Sequence, residues 1–193
     1  MQTTLQRPEP ALRHRFDVDD YHRMAEAGIL SPDDRVELIG GEIVDMAPIG
    51  SALGGTVVGL TELVARAVAD GKVLLSVQGP LRLDRSNEPQ PDLMLLRSRT
   101  DRYRSSHPAA ADVLLLVEVA DSSLAYDRGA KLALYARHGV AEVWIVDLAG
   151  RAVELFREPN TGGFAVRERV DAGAISPRLV PDLAVDLAAL FGG

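Results

Sequence analysis

The chain has 193 residues, enough for one domain that buries roughly two-thirds of its unfolded surface. With 47% hydrophobic and 25% charged residues it has the composition of a globular protein, and no apolar run reaches the roughly 18 residues of a membrane span. A formal charge of −7, from 21 basic and 28 acidic residues, argues against nonspecific coating of phosphate backbones, and the lack of cysteine removes disulfides, thiolate zinc sites, iron–sulfur clusters and cysteine nucleophiles.

Taken in chain order, residues 1–16 predict a loose arm, without the apolar centre of a secretory signal, so a cytoplasmic location is expected. A single domain is expected over 17–193. Asp17 caps a short helix that Gly28 ends. Two alternating runs from Arg35 to Met46 around Gly40-Gly41 predict a β-hairpin with Glu37 opposite Val44. The spacing of Val57, Leu60, Leu63, Val64 and Val68 predicts an amphipathic helix over 51–69. Residues 73–77 and 81–83 read as extended, and Asp92 opens a short apolar strand over 93–96. After a loop at 97–111 comes Val113-Leu-Leu-Leu-Val-Glu118-Val119, apolar on both faces apart from one glutamate, as a central strand covered above and below should be. A helix over 127–137 and a strand over 142–147 complete a right-handed parallel crossover. Further strands at 151–157 and 164–170, and a short helix within 183–190, give a mixed sheet in a layered α/β (α+β) domain.

A carboxylate in an otherwise apolar strand is costly unless compensated, so Glu118 needs a partner. If the strand opened by Asp92 pairs antiparallel with the Glu118 strand, both carboxylates meet at one edge of the sheet. Such a pair is resolved by proton sharing, by a nearby cation, or by a divalent metal held on oxygen ligands. Magnesium suits a site this sparse, because it keeps several waters and needs only one or two protein carboxylates beside substrate phosphate. Phosphodiester hydrolysis is the reaction that combination serves. Only Lys72 and Lys131 are lysines among 21 basic residues. Lys131 shares a helical side with Leu134, Tyr135 and His138, and from there it can stabilise developing phosphorane charge. Glu37 is the fourth candidate, pointing inward from its hairpin.

Read as a set, Glu37-Leu-Ile-Gly-Gly-Glu, Gln90-Pro-Asp92-Leu, Val117-Glu118-Val with Ser122-Ser123, Asp127-Arg-Gly-Ala-Lys131-Leu-Ala-Leu-Tyr135 and Val143-Trp-Ile-Val-Asp147 resemble the Uma-two family of restriction-endonuclease-like proteins. The resemblance covers about residues 15–190. It implies membership of the PD-(D/E)xK nuclease superfamily and a mixed sheet flanked by helices, preceded here by the N-terminal helix and hairpin. By this resemblance Asp92 and Glu118 hold the metal, Mg2+ with Mn2+ as substitute. Lys131 is then the catalytic lysine displaced from strand to helix, and Glu37 the helper acid. A nucleic-acid substrate, DNA in the first instance, and a homodimer are expected with no membrane partner.

Two positions depart from the pattern. The superfamily has lysine two residues after the glutamate, where this chain has Ala120, and the family often has a histidine-glycine pair where this chain has Leu53-Gly54. Each candidate also has a plainer reading: Asp92 as a strand cap, Glu118 paired with an arginine, Lys131 as a snorkelling helix residue, Glu37 as a solvated hairpin residue. The alternative function is a nonenzymatic interaction module that retains the nuclease fold. A glycosidase is disfavoured by the 5% aromatic content, which leaves few stacking platforms for sugars. Gly50 to Thr56 has phosphate-loop glycine spacing without the lysine, and His14, His22, His107 and His138 lack any metal-ligand spacing.

Overall fold

A computed structural model describes residues 13–31, 33–69 and 71–192, apart from the side chains of residues 66 and 67. The predicted arm at 1–16 lies outside the described residues as far as residue 12. Its end is anchored: Phe16 N–H donates to Gly41 O at 2.9 Å and Arg15 Nη1 to Gly40 O at 2.9 Å. Gly41 has φ of +74°, and a Cβ there would stand 2.9 Å from Arg15 Cβ, so only glycine suits this turn.

Helix α1 (Val18–Glu26) begins at a capping box in which Asp17 accepts from the Asp20 backbone and Asp20 accepts in return, and Gly28 follows its end with φ of +70°. Strands β1 (Val36–Ile39) and β2 (Glu42–Asp45) form the hairpin in the predicted register, Glu37 opposite Val44. Then come α2 (Ser51–Val68), β3 (Val73–Val77), β4 (Leu93–Arg97) and β5 (Val113–Ala120). Next α3 (Leu124–Tyr126) runs through a π-turn (Asp127–Lys131) into α4 (Leu132–Arg137). The remaining elements are β6 (Glu142–Asp147), β7 (Ala152–Asn160), β8 (Gly163–Val170), β9 (Ala174–Ile175), β10 (Val185–Asp186) and α5 (Leu187–Leu190). Among the described residues no helix is long and apolar enough to cross a membrane.

Six strands form one mixed sheet in the order β3-β4-β5-β6-β7-β8, in which β5 and β6 pair parallel and the other neighbours antiparallel. Every residue of β5 and β6 is buried, because helices cover both faces. On one face Leu93, Leu95, Leu115, Val117 and Trp144 pack with Leu60 and Val64 of α2 and Leu187 of α5. On the other, Met94, Leu116, Ala120 and Ile145 pack with Tyr135 of α4. The two-residue alternation along β5 thus puts Glu118 on the α4 face with Leu116 and Ala120.

Two expectations are corrected. Residues 81–83 form no strand; their backbone instead bonds to loop carbonyls, Leu81 N–H to Pro89 O and Arg82 N–H to Pro108 O, both at 2.9 Å. Pro80 precedes this segment and the Asp84–Asn87 turn closes it, which leaves no length for a ladder. The crossover helix starts at Leu124 rather than 127, because the π-turn carries helical backbone through Asp127-Arg-Gly.

Candidate active site

Leu93 of β4 pairs with Val117 of β5, so the residues one step outward, Asp92 and Glu118, come side by side. Asp92 Oδ2 accepts the Val119 N–H at 2.8 Å, and Oδ1 faces Gln78 Nε2 at 3.4 Å. The π-turn supplies the next groups. Leu132 N–H reaches back five residues to Asp127 O, and this widened turn buries both Asp127 and Lys131. Lys131 Nζ lies 2.9 Å from Glu118 Oε1 and 3.3 Å from Glu37 Oε2. The same Glu37 oxygen, Oε2, also accepts the Gln90 N–H at 3.1 Å. Tyr135, one helical turn beyond Lys131, donates its hydroxyl to Glu118 Oε1 at 2.5 Å.

All four predicted residues therefore converge, and for Glu118, Lys131 and Glu37 the geometry departs from the plainer readings, while Asp92 caps the neighbouring strand as well as facing the cavity. Glu118 pairs with an ammonium rather than a guanidinium, Lys131 is 4% exposed and does not snorkel, and Glu37 is 2% exposed rather than solvated. Lys131 brings its ammonium to Glu118 from the helix, although the position two residues after Glu118 is a buried alanine. These side chains line a cavity of about 270 Å³. Leu53, where the family often has histidine, gives that cavity an apolar wall.

Sequence reasoning missed several members of this site. Asp127 lines the cavity, 5% exposed, and accepts from Ser123 Oγ at 2.6 Å. The Tyr126 hydroxyl is shielded from solvent and has no hydrogen-bond partner among the described residues, and Tyr126 lines the same cavity. Tyr135 is more than the core residue its sequence position implies. The signal available for Asp127 and Tyr135 was their four-residue spacing on either side of Lys131.

The half-buried Arg35 and the exposed Asp45 line the cavity rim, and its buried charges are unbalanced. Glu37, Asp92, Glu118 and Asp127 are buried carboxylates, and Lys131 is the buried ammonium among them. Burial pushes Glu118 up to about 8; Lys131 opposes this, and Asp92 and Asp127 reinforce it. Burial likewise raises Asp127, with Ser123 and Lys131 acting against it. Burial alone would lower Lys131, but Glu118, Glu37 and Asp127 reverse that and hold it firmly protonated. A surplus of carboxylate in low dielectric takes up either protons or a cation. The donor set is oxygen only, which suits a hard divalent ion such as Mg2+ or Mn2+.

The helix carrying Lys131 is fastened to the sheet by a second ionic cluster. Arg128 of the π-turn donates to Glu154 Oε1 at 2.7 Å and to Asp147 Oδ2 at 3.4 Å, and Arg167 and Arg169 reach the same carboxylates from β8. Burial raises the Glu154 and Asp147 pKa values, but for Glu154 the arginines, and for Asp147 the Gly150 N–H and Arg169, outweigh it and hold both low. A depressed folded value means stability that is present above the usual 4.5 and 3.8 and is lost as the pH falls through the folded values. Thermal unfolding followed by circular dichroism should therefore show the melting temperature dropping across this acid range. Glu154→Gln should melt lower at neutral pH and lose part of that acid slope.

The profile of the Uma2 family, described as "Putative restriction endonuclease", matches residues 18–188. The chain belongs to the Uma2 family. A solved structure from Anabaena variabilis, titled a "putative nuclease belonging to DUF820", superposes with a TM-score of 0.72 at 15% identity, covering 92% of this chain and 98% of that one. At that identity the likeness establishes the shared fold, a six-stranded mixed sheet flanked by helices. None of the curated proteins matches the chain.

Proposed function

We propose that this Uma2 protein is a divalent-metal-dependent nuclease that hydrolyses phosphodiester bonds in DNA, working as a homodimer with one site per strand. The observation that carries the reading is the surplus of four buried carboxylates over one buried ammonium around a single cavity. Asp92 and Glu118 are the residues that would hold Mg2+, or Mn2+ in its place. A cation bound there lowers the pKa of bound water and neutralises phosphate charge.

The chain's own groups supply the rest. Lys131 has three N–H donors, of which two face Glu118 and Glu37, and the third is available to a phosphoryl oxygen in the cavity. Glu37 holds the ammonium in that orientation and is itself fixed by Gln90. Tyr135 pins Glu118 Oε1, so that among the described residues Oε2 makes no hydrogen bond and is left to ligate. Hydrolysis then proceeds by attack of water on phosphorus, rupture of one P–O ester bond and protonation of the departing oxygen. Protein stripped with a chelator should not cut a linear DNA duplex, Mg2+ should restore cutting, and Glu118→Gln should abolish it with the fold intact by circular dichroism. Metal-replete protein that leaves DNA uncut would instead support the nonenzymatic module.

A further inference from the structure

Away from this cavity, the fold brings together two of the four histidines whose spacing in the sequence carries no metal signature. His22 of α1, Glu88 and His107 each offer one ligand atom, and these atoms all lie within 4.8 Å of one another. His22 Nε2 is 2.7 Å from Glu88 Oε1, and the His22 and His107 rings meet edge to face with centroids 6.0 Å apart. Glu88 is 2% exposed, and its second oxygen, Oε2, is shielded from solvent without any hydrogen-bond partner among the described residues. A buried carboxylate oxygen left unpaired is unfavourable in a protein that binds nothing there.

Local structure holds these three residues in place. The residues that follow Glu88 and His107, Pro89 and Pro108, each give their carbonyl to successive N–H groups, those of Leu81 and Arg82. Glu88 N–H and O both bond to Leu38 of β1, and α1 is tied to the same region through Val18 N–H to Arg85 O and the Tyr21 hydroxyl to Val36 O. His107 itself is exposed, so its ring is free to turn toward the other two ligands.

We infer that His22, Glu88 and His107 form a second cation site, for a borderline transition ion of the zinc class rather than magnesium. Two imidazoles and a carboxylate are the donors such ions select, whereas Mg2+ prefers oxygen alone. A tetrahedral ion with bonds of about 2.1 Å spaces its donors about 3.4 Å apart, which the cluster reaches by opening the His22–Glu88 contact slightly and rotating His107 inward. Three protein ligands leave a fourth position for water. The ion clamps α1 to the loops at 81–91 and 98–109, and the inference does not depend on the nuclease reading, since none of its ligands lines the catalytic cavity.

The test is calorimetric titration of the full-length, chelator-stripped protein with Zn2+, repeated with Co2+ and visible absorption. The parent should bind one ion at this site and show Co2+ d–d bands of a four- or five-coordinate centre. His107→Ala, at an exposed side chain, should keep the fold yet weaken Zn2+ binding at least 10-fold and lose the bands, as should His22→Ala. The Asp92→Asn/Glu118→Gln double variant should retain both. Zn2+ binding unchanged in His107→Ala, absent from the parent, or lost in the double variant would each overturn the site.

Discussion

Lys131→Met is expected to destabilise the metal-free protein by about 3–5 kcal/mol, the usual cost of removing one partner from a buried ion pair. The substitution keeps the bulk of the side chain but strands Glu37 and Glu118, which share the lysine Nζ at 3.3 and 2.9 Å with side chains 3% and 5% exposed. The effect should depend on pH in a definite direction. A carboxylate whose folded pKa lies above its unfolded value stabilises below the unfolded value and loses that stability as pH rises through the folded one. Without Lys131, which now opposes the burial that raises Glu118 and Asp127, those two carboxyls are raised further, so the loss should be smallest in mild acid and largest above neutrality. Urea unfolding at several pH values measures it. The Lys131→Met/Glu118→Gln double variant should recover a large part of the stability, because the two side chains are in contact and their effects do not add. It should recover none of the cleavage. A single variant as stable as the parent at pH 8 would mean that the ammonium is not compensating these carboxylates.

The second large effect is on activity. Asp92→Asn should lower single-turnover cleavage at a fixed Mg2+ concentration by at least about 100-fold, since even residues that merely orient metal ligands cost 10–100-fold when replaced. Its stability should stay within about 1 kcal/mol of the parent, for the asparagine carbonyl can still accept the Val119 N–H that Asp92 Oδ2 now takes at 2.8 Å. Cleavage separates a ligand from a strand cap: a cap keeps its Val119 bond in the asparagine variant and leaves cutting unchanged. Parental cleavage by Asp92→Asn would remove Asp92 from the metal site.

Some of the site was legible because its signals are local. Glu118 is conspicuous in a run of otherwise apolar residues, and the Gly40-Gly41 turn fixes the Glu37–Val44 register within a few residues. Antiparallel pairing of two neighbouring strands then leaves little freedom in where Asp92 sits. Lys131 was legible as a helix residue facing the sheet, but its distance from Glu118 depends on a π-turn that no periodicity announces. Tyr135 shows the limit from another side. An aromatic residue on the buried stripe of a helix reads as core, and only the direction of its hydroxyl makes it a partner of Glu118.

The sequence by itself determined the order of the longer elements, the mixed sheet, the central buried strand and the four candidate residues, since apolar spacing, turn glycines and a misplaced carboxylate all act over a few residues. It did not determine the loop at 81–83 or the short β9 and β10. Tertiary structure alone decided which charges meet. Whether Lys131 neutralises Glu118, how many carboxylates share its cavity, and that His22 and His107 close around Glu88 depend on contacts between segments far apart in the chain. There the governing quantity is the Coulomb and desolvation energy of groups brought within a few ångströms, a distance that sequence separation does not encode.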